Sequence, residues 1–135
     1  MSEDTVEEFL STIYHTLRAT RRRYVVQVLN ESEETVVSVR SLSREIAARE
    51  HGVPHSRATG EPYRNAYNAL TQTHLPTLSE AGIIIYDNDR QIVSAGQYLD
   101  LAVLLTAMTR PAVVLFHEQA SAESSLTDSG HSTTD

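Results

Sequence analysis

The sequence predicts an α+β domain that is mainly helical, and three observations carry that expectation. Apolar residues recur at helical spacing, first in Val6, Phe9, Leu10, Ile13 and Leu17. One short β-branched run, Thr35 to Val39, lies between two helical patterns. Further on, two brief apolar runs, Ile83 to Tyr86 and Gln91 to Val93, flank the turn-forming residues Asp87-Asn88-Asp89-Arg90.

The first helix is expected over residues 5–17, with Asp4 or Thr5 as cap and Glu7 and Glu8 in the first turn, where carboxylates suit the helix dipole. Thr20 reads as the cap of a second helix from Arg21 to about Asn30, with Tyr24, Val25, Val28 and Leu29 on its apolar side. The cluster Glu31-Ser32-Glu33-Glu34 ends it, and the β-branched run follows as a strand. Ser41 or Ser43 caps a third helix that buries Leu42, Ile46 and Ala47, and Gly52 stops it. Val53 to Gly60 is a loop. The next helix starts near Pro62 and runs through Ala66, Leu70, Thr73 and Leu78 toward Ala81-Gly82. Pro76 lies inside it, removes the hydrogen bond to Gln72 and is expected to kink it. After the hairpin, Ala95 to Met108 is a strongly apolar helix interrupted by Pro111. Ala112 to Phe116 is then a short helix or strand. From about Gln119 the chain is rich in Ser, Thr, Asp and Gly and is expected to be disordered.

The 135 residues suit one domain with short extensions. The absence of cysteine excludes disulfides and cysteine-ligated metals. All 11 basic residues are arginine, against 18 acids, for a net charge of −7. A carboxylate-rich, lysine-free surface fits concentrated salt; a GC-rich genome that favours arginine codons gives the same composition. The acids gather at the ends, in Glu3, Asp4, Glu7 and Glu8 and again in Glu118, Glu123, Asp128 and Asp135, which leaves the middle slightly basic. No secretory signal is read, and the longest apolar stretch contains Asp100, Arg110 and Pro111, so a soluble, cytoplasmic protein without membrane contact is expected.

Helix, strand, helix, helix, hairpin is the order of a winged helix-turn-helix. The segment His74-Leu75-Pro76-Thr77-Leu78-Ser79-Glu80-Ala81-Gly82-Ile83-Ile84 resembles the H-L-x-x-L-x-x-A-G pattern of ArsR-like winged helices. More widely, residues 15–95 resemble a family of halophilic-archaeal winged-helix domains of uncharacterised function. The matching stretches are Arg21 to Val26, Ile46 to Glu50, Gly52-Val53-Pro54, Tyr67 to Pro76 and Tyr86 to Arg90. The resemblance implies that two leucines anchor a recognition helix, that Gly82 ends it in a left-handed conformation, and that the protein is a DNA-binding transcription regulator of a halophilic archaeon.

In such a fold the recognition helix enters the major groove. Its solvent face is expected to include Tyr63, Arg64, Asn65, Asn68, Thr71 and Gln72, residue types able to read base edges. Arg40, Arg44, Arg49 and Arg57 flank this helix as candidates for phosphate contact, with local pairs such as Arg49–Glu45 as the alternative. Arg90 at the hairpin tip is a candidate for the minor groove, although Asp87 and Asp89 beside it repel phosphate. Arg21-Arg22-Arg23 reads better as structural than as a clamp. His51 and His55 lack the partners of a metal site, and His74 reads as a cap or helix-face residue, so no metal or cofactor is expected. Phosphate-loop, zinc-protease and nucleophile-elbow motifs are all missing, so the protein is not expected to be an enzyme.

The terminal helices carry more apolar surface than a minimal winged helix covers. Phe9, Ile13 and Leu17 with Leu99, Val103 and Leu104 are expected to form a homodimer interface, the alternative being that they pack on their own core. The chain thus divides into an N-terminal helix (1–18), the winged helix-turn-helix domain (19–95), an apolar C-terminal helix (96–117) and an acidic Ser/Thr-rich tail (118–135). Double-stranded DNA is the expected partner. The rival reading is a winged-helix protein-interaction module that binds no DNA.

Overall fold

The computed structural model describes residues 3–108. Helix α1 (Glu3–Thr16) and helix α2 (Thr20–Glu31) lead into strand β1 (Val36–Ser38) and helix α3 (Val39–His51). A 3-10 turn (His55–Arg57) precedes helix α4 (Gly60–Ala69), a π-helical turn (Leu70–His74) and helix α5 (Leu75–Glu80). Strands β2 (Ile84–Asp87) and β3 (Ile92–Ala95) form the hairpin, and residues 99–108 are helical, here α6. The class is therefore α+β and mainly helical. The chain divides into a unit ending at Val103 and another starting at Leu104, of which only the helical residues 104–108 are described. The expected segment Ala112 to Phe116 and the tail 118–135 lie outside the described residues.

Local chemistry explains where the elements begin and end. Ser38, not Ser41 or Ser43, caps α3: its Oγ accepts the Ser41 N–H at 3.0 Å. Three serines compete for that role, and the first one wins, which turns the chain early. Val39 then becomes the first helical residue, fully buried, rather than the last of the strand. Ser43 lies inside the helix, where its hydroxyl donates to the Val39 carbonyl at 2.7 Å. Likewise Thr20 begins α2 rather than capping it; the cap position is Ala19, which has no side-chain oxygen to offer. Gly52 ends α3 in a left-handed conformation (φ 63°), with the Val53 N–H bonded back to the Ala48 carbonyl at 3.1 Å.

The three strands are antiparallel in the order β1-β3-β2. Val37 pairs with Val93, and Val93 with Tyr86, so one face of the sheet turns Val37, Val93 and Ile84 inward. The opposite face aligns Val36, Ser94 and Ile85 across the strands in contact with solvent. Beneath the sheet, Val25, Val26, Leu42, Ile46, Ala66, Leu70, Leu75 and Leu78 complete a core from which water is excluded.

Pro76 acts through a π turn. It has no N–H, and its ring would press on the carbonyl of Gln72 in a regular helix. The turn before it is widened instead, and the Leu75 N–H bonds to the Leu70 carbonyl five residues back. A regular helix would put residues five apart on different faces. The wider turn restores the phase, so Ala66, Leu70, Leu75 and Leu78 are all fully buried. At the far end the Ile83 N–H returns to the Leu78 carbonyl at 3.0 Å across a left-handed Gly82 (φ 78°). Gly96 then comes so close that an added Cβ would lie 2.5 Å from the Gly82 carbonyl oxygen and 2.8 Å from the Ile84 nitrogen. This contact fixes where the hairpin leaves the helix.

Candidate nucleic-acid interface

Helix α4 packs on α3 with Ala66 turned inward, and the remainder of its circumference meets solvent. Arg64, Asn65, Asn68 and Gln72 are all exposed and lie on one stripe at steps of one, three and four residues. Tyr63 and Thr71 stand at its margin, half-buried. The Tyr63 ring stacks on Tyr67 with centroids 6.0 Å apart, and the Thr71 hydroxyl donates to the Tyr67 carbonyl at 2.9 Å. Glu61 shares the stripe, exposed in the first turn of α4, and was legible from its spacing to Arg64 and Asn65. It is the only carboxylate on the helix.

The described arginines fall into two sets. Arg21 forms a two-pronged pair with Glu50. Arg22 donates to His74 Nδ1 (3.0 Å) and the Thr16 carbonyl, and Arg23 to the carbonyls of Leu17 and Arg18. Arg44 donates to the carbonyls of His55 and Ser56, which fastens the loop that carries Arg57. Arg49 bridges Glu45 (3.0 Å) and Glu31 (2.8 Å). By contrast Arg18, Arg40, Arg57 and Arg64 are exposed and make no ion pair among the described residues. The Arg90 guanidinium, at the hairpin tip, has a long contact to Asp87 at 3.8 Å, and the Arg90 backbone N–H donates to the same carboxylate at 3.1 Å. Of the four arginines expected beside the helix, Arg40 and Arg57 are thus free, whereas Arg44 and Arg49 hold the scaffold together.

A residue with no sequence signature ties the hairpin to α4. Gln91 adopts a left-handed backbone (φ 56°), rare for a side chain with a Cβ. Its Oε1 accepts the Tyr67 hydroxyl at 2.6 Å, and its Nε2 donates to the carbonyl and the side-chain oxygen of Asn88. Its own carbonyl accepts the Val39 N–H at 2.9 Å, at the start of α3. One residue therefore joins the hairpin, the exposed helix and the helix before it. His74 turns toward α2 rather than outward. Burial first, then the charges of Arg22 and Arg21, hold its pKa below the usual histidine value, against the weaker pull of Glu50.

An open groove between the end of α2, β1 and α3 is lined by Val28, Glu31, Glu34, Val36, Glu45 and His55. Burial alone would raise the Glu45 carboxyl, but hydrogen bonds and charges from Arg49 and His55 bring it below the usual range. Among the described residues no group of three or more His, Cys, Asp or Glu converges as a metal site. No described helix is long and apolar enough to cross a membrane.

Most of the expected dimer residues contribute to packing within the single chain. Ile13 is fully buried, Leu17 and Leu99 are nearly so, and Phe9 packs edge-on against Tyr98 at 4.6 Å, all within one chain. Ile13, Leu17 and Leu99 thus belong to the chain's own core, while Phe9 is half-buried. Val103 is half-buried, and Leu104 is exposed in the second unit.

These features define a mainly helical α+β domain with a short three-stranded sheet and a polar helix face beside its hairpin. A family model described as "Domain of unknown function (DUF7344)" matches residues 14–94, and the chain belongs to that family. Comparison with curated proteins and with solved structures found no match.

Proposed function

We propose that the protein is a winged helix-turn-helix transcription regulator that binds double-stranded DNA as a homodimer in a halophilic cytoplasm. In this reading α3 and α4 form the helix-turn-helix and β2–β3 the wing. The observation that carries it is the exposed polar stripe of α4, with Arg64 on it and Arg57 just before it both without an ion pair among the described residues, while Arg21, Arg22, Arg44 and Arg49 are tied into the scaffold. Arg40 and Arg57 lie at or just before helix starts, where they supply phosphate contacts that set register. Arg64, Asn65, Asn68 and Gln72 have the chemistry to bond guanine and adenine edges in the major groove, and Glu61 can accept from a cytosine amine. Tyr63 and Thr71 support that face from its margin. Arg90 reaches the flanking minor groove, which also draws arginine at high salt when it is narrow.

The experiment is selection from a randomised duplex pool at molar salt. A recovered motif, repeated in inverted orientation about 10 base pairs apart, supports a dimeric groove reader. A pool that emerges without enrichment, while the protein captures a specific polypeptide partner, favours the rival interaction-module reading.

A further inference from the structure

Helix α1 has a second apolar edge that the core does not use. Phe9, Ile13 and Thr16 turn inward, whereas Val6, Leu10 and Tyr14 lie one step around the helix and are 38%, 41% and 54% exposed. This edge is bounded by charge. Glu3, Asp4 and Glu7 stand at its N-terminal end, His15 and Arg18 at the other, and all five are exposed. Read along the helix, Glu3, Val6, Leu10 and Tyr14 follow at steps of three, four and four, and Arg18 lies in the turn just past its end.

We propose that α1 pairs antiparallel with α1 of a second copy along this edge. The inference rests on the homodimer part of the reading above and assigns it a different surface. The pattern is self-complementary about Leu10. An antiparallel copy sets Leu10 against Leu10, Val6 against Tyr14, and the acidic end of each helix against Arg18 and His15 of the other. A parallel copy would instead place four carboxylates (Glu3, Asp4, Glu7 and Glu8) beside four more. Residue i meets residue j and j meets i, which is what a two-fold interface requires. The helix dipoles oppose one another in the same arrangement. A 14-residue helix is about 21 Å long, so one such pair covers less than the roughly 800 Å² per partner of a standard interface. The dimer is therefore a weak one, which two adjacent DNA half-sites would reinforce.

Sedimentation velocity of the full chain over about 1–200 µM tests this, a range suited to a small interface. The wild type is expected to pass from monomer to dimer. Leu10→Arg, at an exposed position, is expected to keep its helical circular dichroism and to weaken association about a hundred-fold, because each dimer loses two buried leucines. The chain has no cysteine, so L10C can be compared with T12C on the outer side of α1. A short bismaleimide should link L10C at least about ten-fold faster, since paired helices approach within about 8–10 Å only at the contact line. A chain that stays monomeric throughout overturns the proposal, and if it still selects a DNA motif, the groove reading stands without it. A dimer that resists L10R and links both cysteine variants equally also overturns it, leaving the homodimer to another surface.

Discussion

The left-handed Gln91 is the most exacting test of how the hairpin is held. Removing its side chain breaks the bond from Tyr67 and the forked donation to Asn88. Counted as two net hydrogen bonds of about 0.5–1.5 kcal/mol each, the loss in Gln91→Ala is about 1–3 kcal/mol. Alanine keeps the left-handed backbone penalty, about 1–2 kcal/mol for a residue with a Cβ. Gln91→Gly loses the same bonds but escapes that penalty, and its freer unfolded chain takes back about 0.4–1 kcal/mol. The glycine variant should therefore be more stable than the alanine variant by about 0.5–1 kcal/mol, although it carries the smaller side chain. Urea unfolding followed by circular dichroism measures the order, provided the m-value is unchanged. Tyr67→Phe should couple to Gln91→Ala by at least about 0.5 kcal/mol in a double-mutant cycle. A glycine variant less stable than alanine, or strictly additive effects of the two side chains, would refute the account of Gln91 as the joint between hairpin and helix.

Further outcomes follow from the same geometry. Gly96→Ala forces a Cβ into the backbone of Gly82 and Ile84 and should destabilise by more than about 2 kcal/mol; Gly52→Ala, with open space around it, should lose only the left-handed penalty of about 1 kcal/mol. Thermal unfolding of the two variants side by side checks the difference. Stability should also fall on acidification. His74 in the folded chain takes a proton less readily than in the unfolded one, so its contribution is intact above pH 6.5, declines as pH drops below 6.5, and levels off below its folded pKa. Glu45 is shifted in the same direction, with the same consequence at lower pH: its contribution is present above 4.5 and is lost as pH falls through its folded value. Urea midpoints measured across pH should show the first decline in the wild type and lose it in His74→Gln. An unaltered profile in that variant would assign the first decline to another group.

Much of the architecture was legible because local signals agreed with one another. Gly52 and Gly82 end helices in the left-handed conformation that glycine adopts without strain; the first was readable from the residue type and the second from the resemblance. The anchoring leucines were readable too, and so was the disturbance at Pro76. Its form as a π turn was encoded in the five-residue step from Leu70 to Leu75, which a regular helix cannot bury on one side. The start of α3 was less legible, since Ser38, Ser41 and Ser43 are equally good caps in sequence and the strand pairing selects among them.

The candidate site was legible in part. Spacing placed Arg64, Asn65, Asn68 and Gln72 outward. Which arginines remain free depends on partners far along the chain, such as Glu31 for Arg49 and the carbonyls of residues 55 and 56 for Arg44. Periodicity could not divide α1 into its two apolar edges, because Val6 and Ile13 both satisfy a helical stripe and only tertiary packing separates them. Gln91 carries no signal at all: its conformation follows from closure of the hairpin against Tyr67.

The most direct test of the groove reading is the specificity ratio, measured by titrating the selected duplex and a scrambled duplex at one fixed salt concentration. Arg64→Ala and Asn68→Ala should each lower affinity for the selected duplex by about 1–3 kcal/mol and leave the scrambled duplex nearly unchanged for Asn68. Equal binding of wild type and both variants to the two duplexes would contradict the claim that the exposed side of α4 reads DNA.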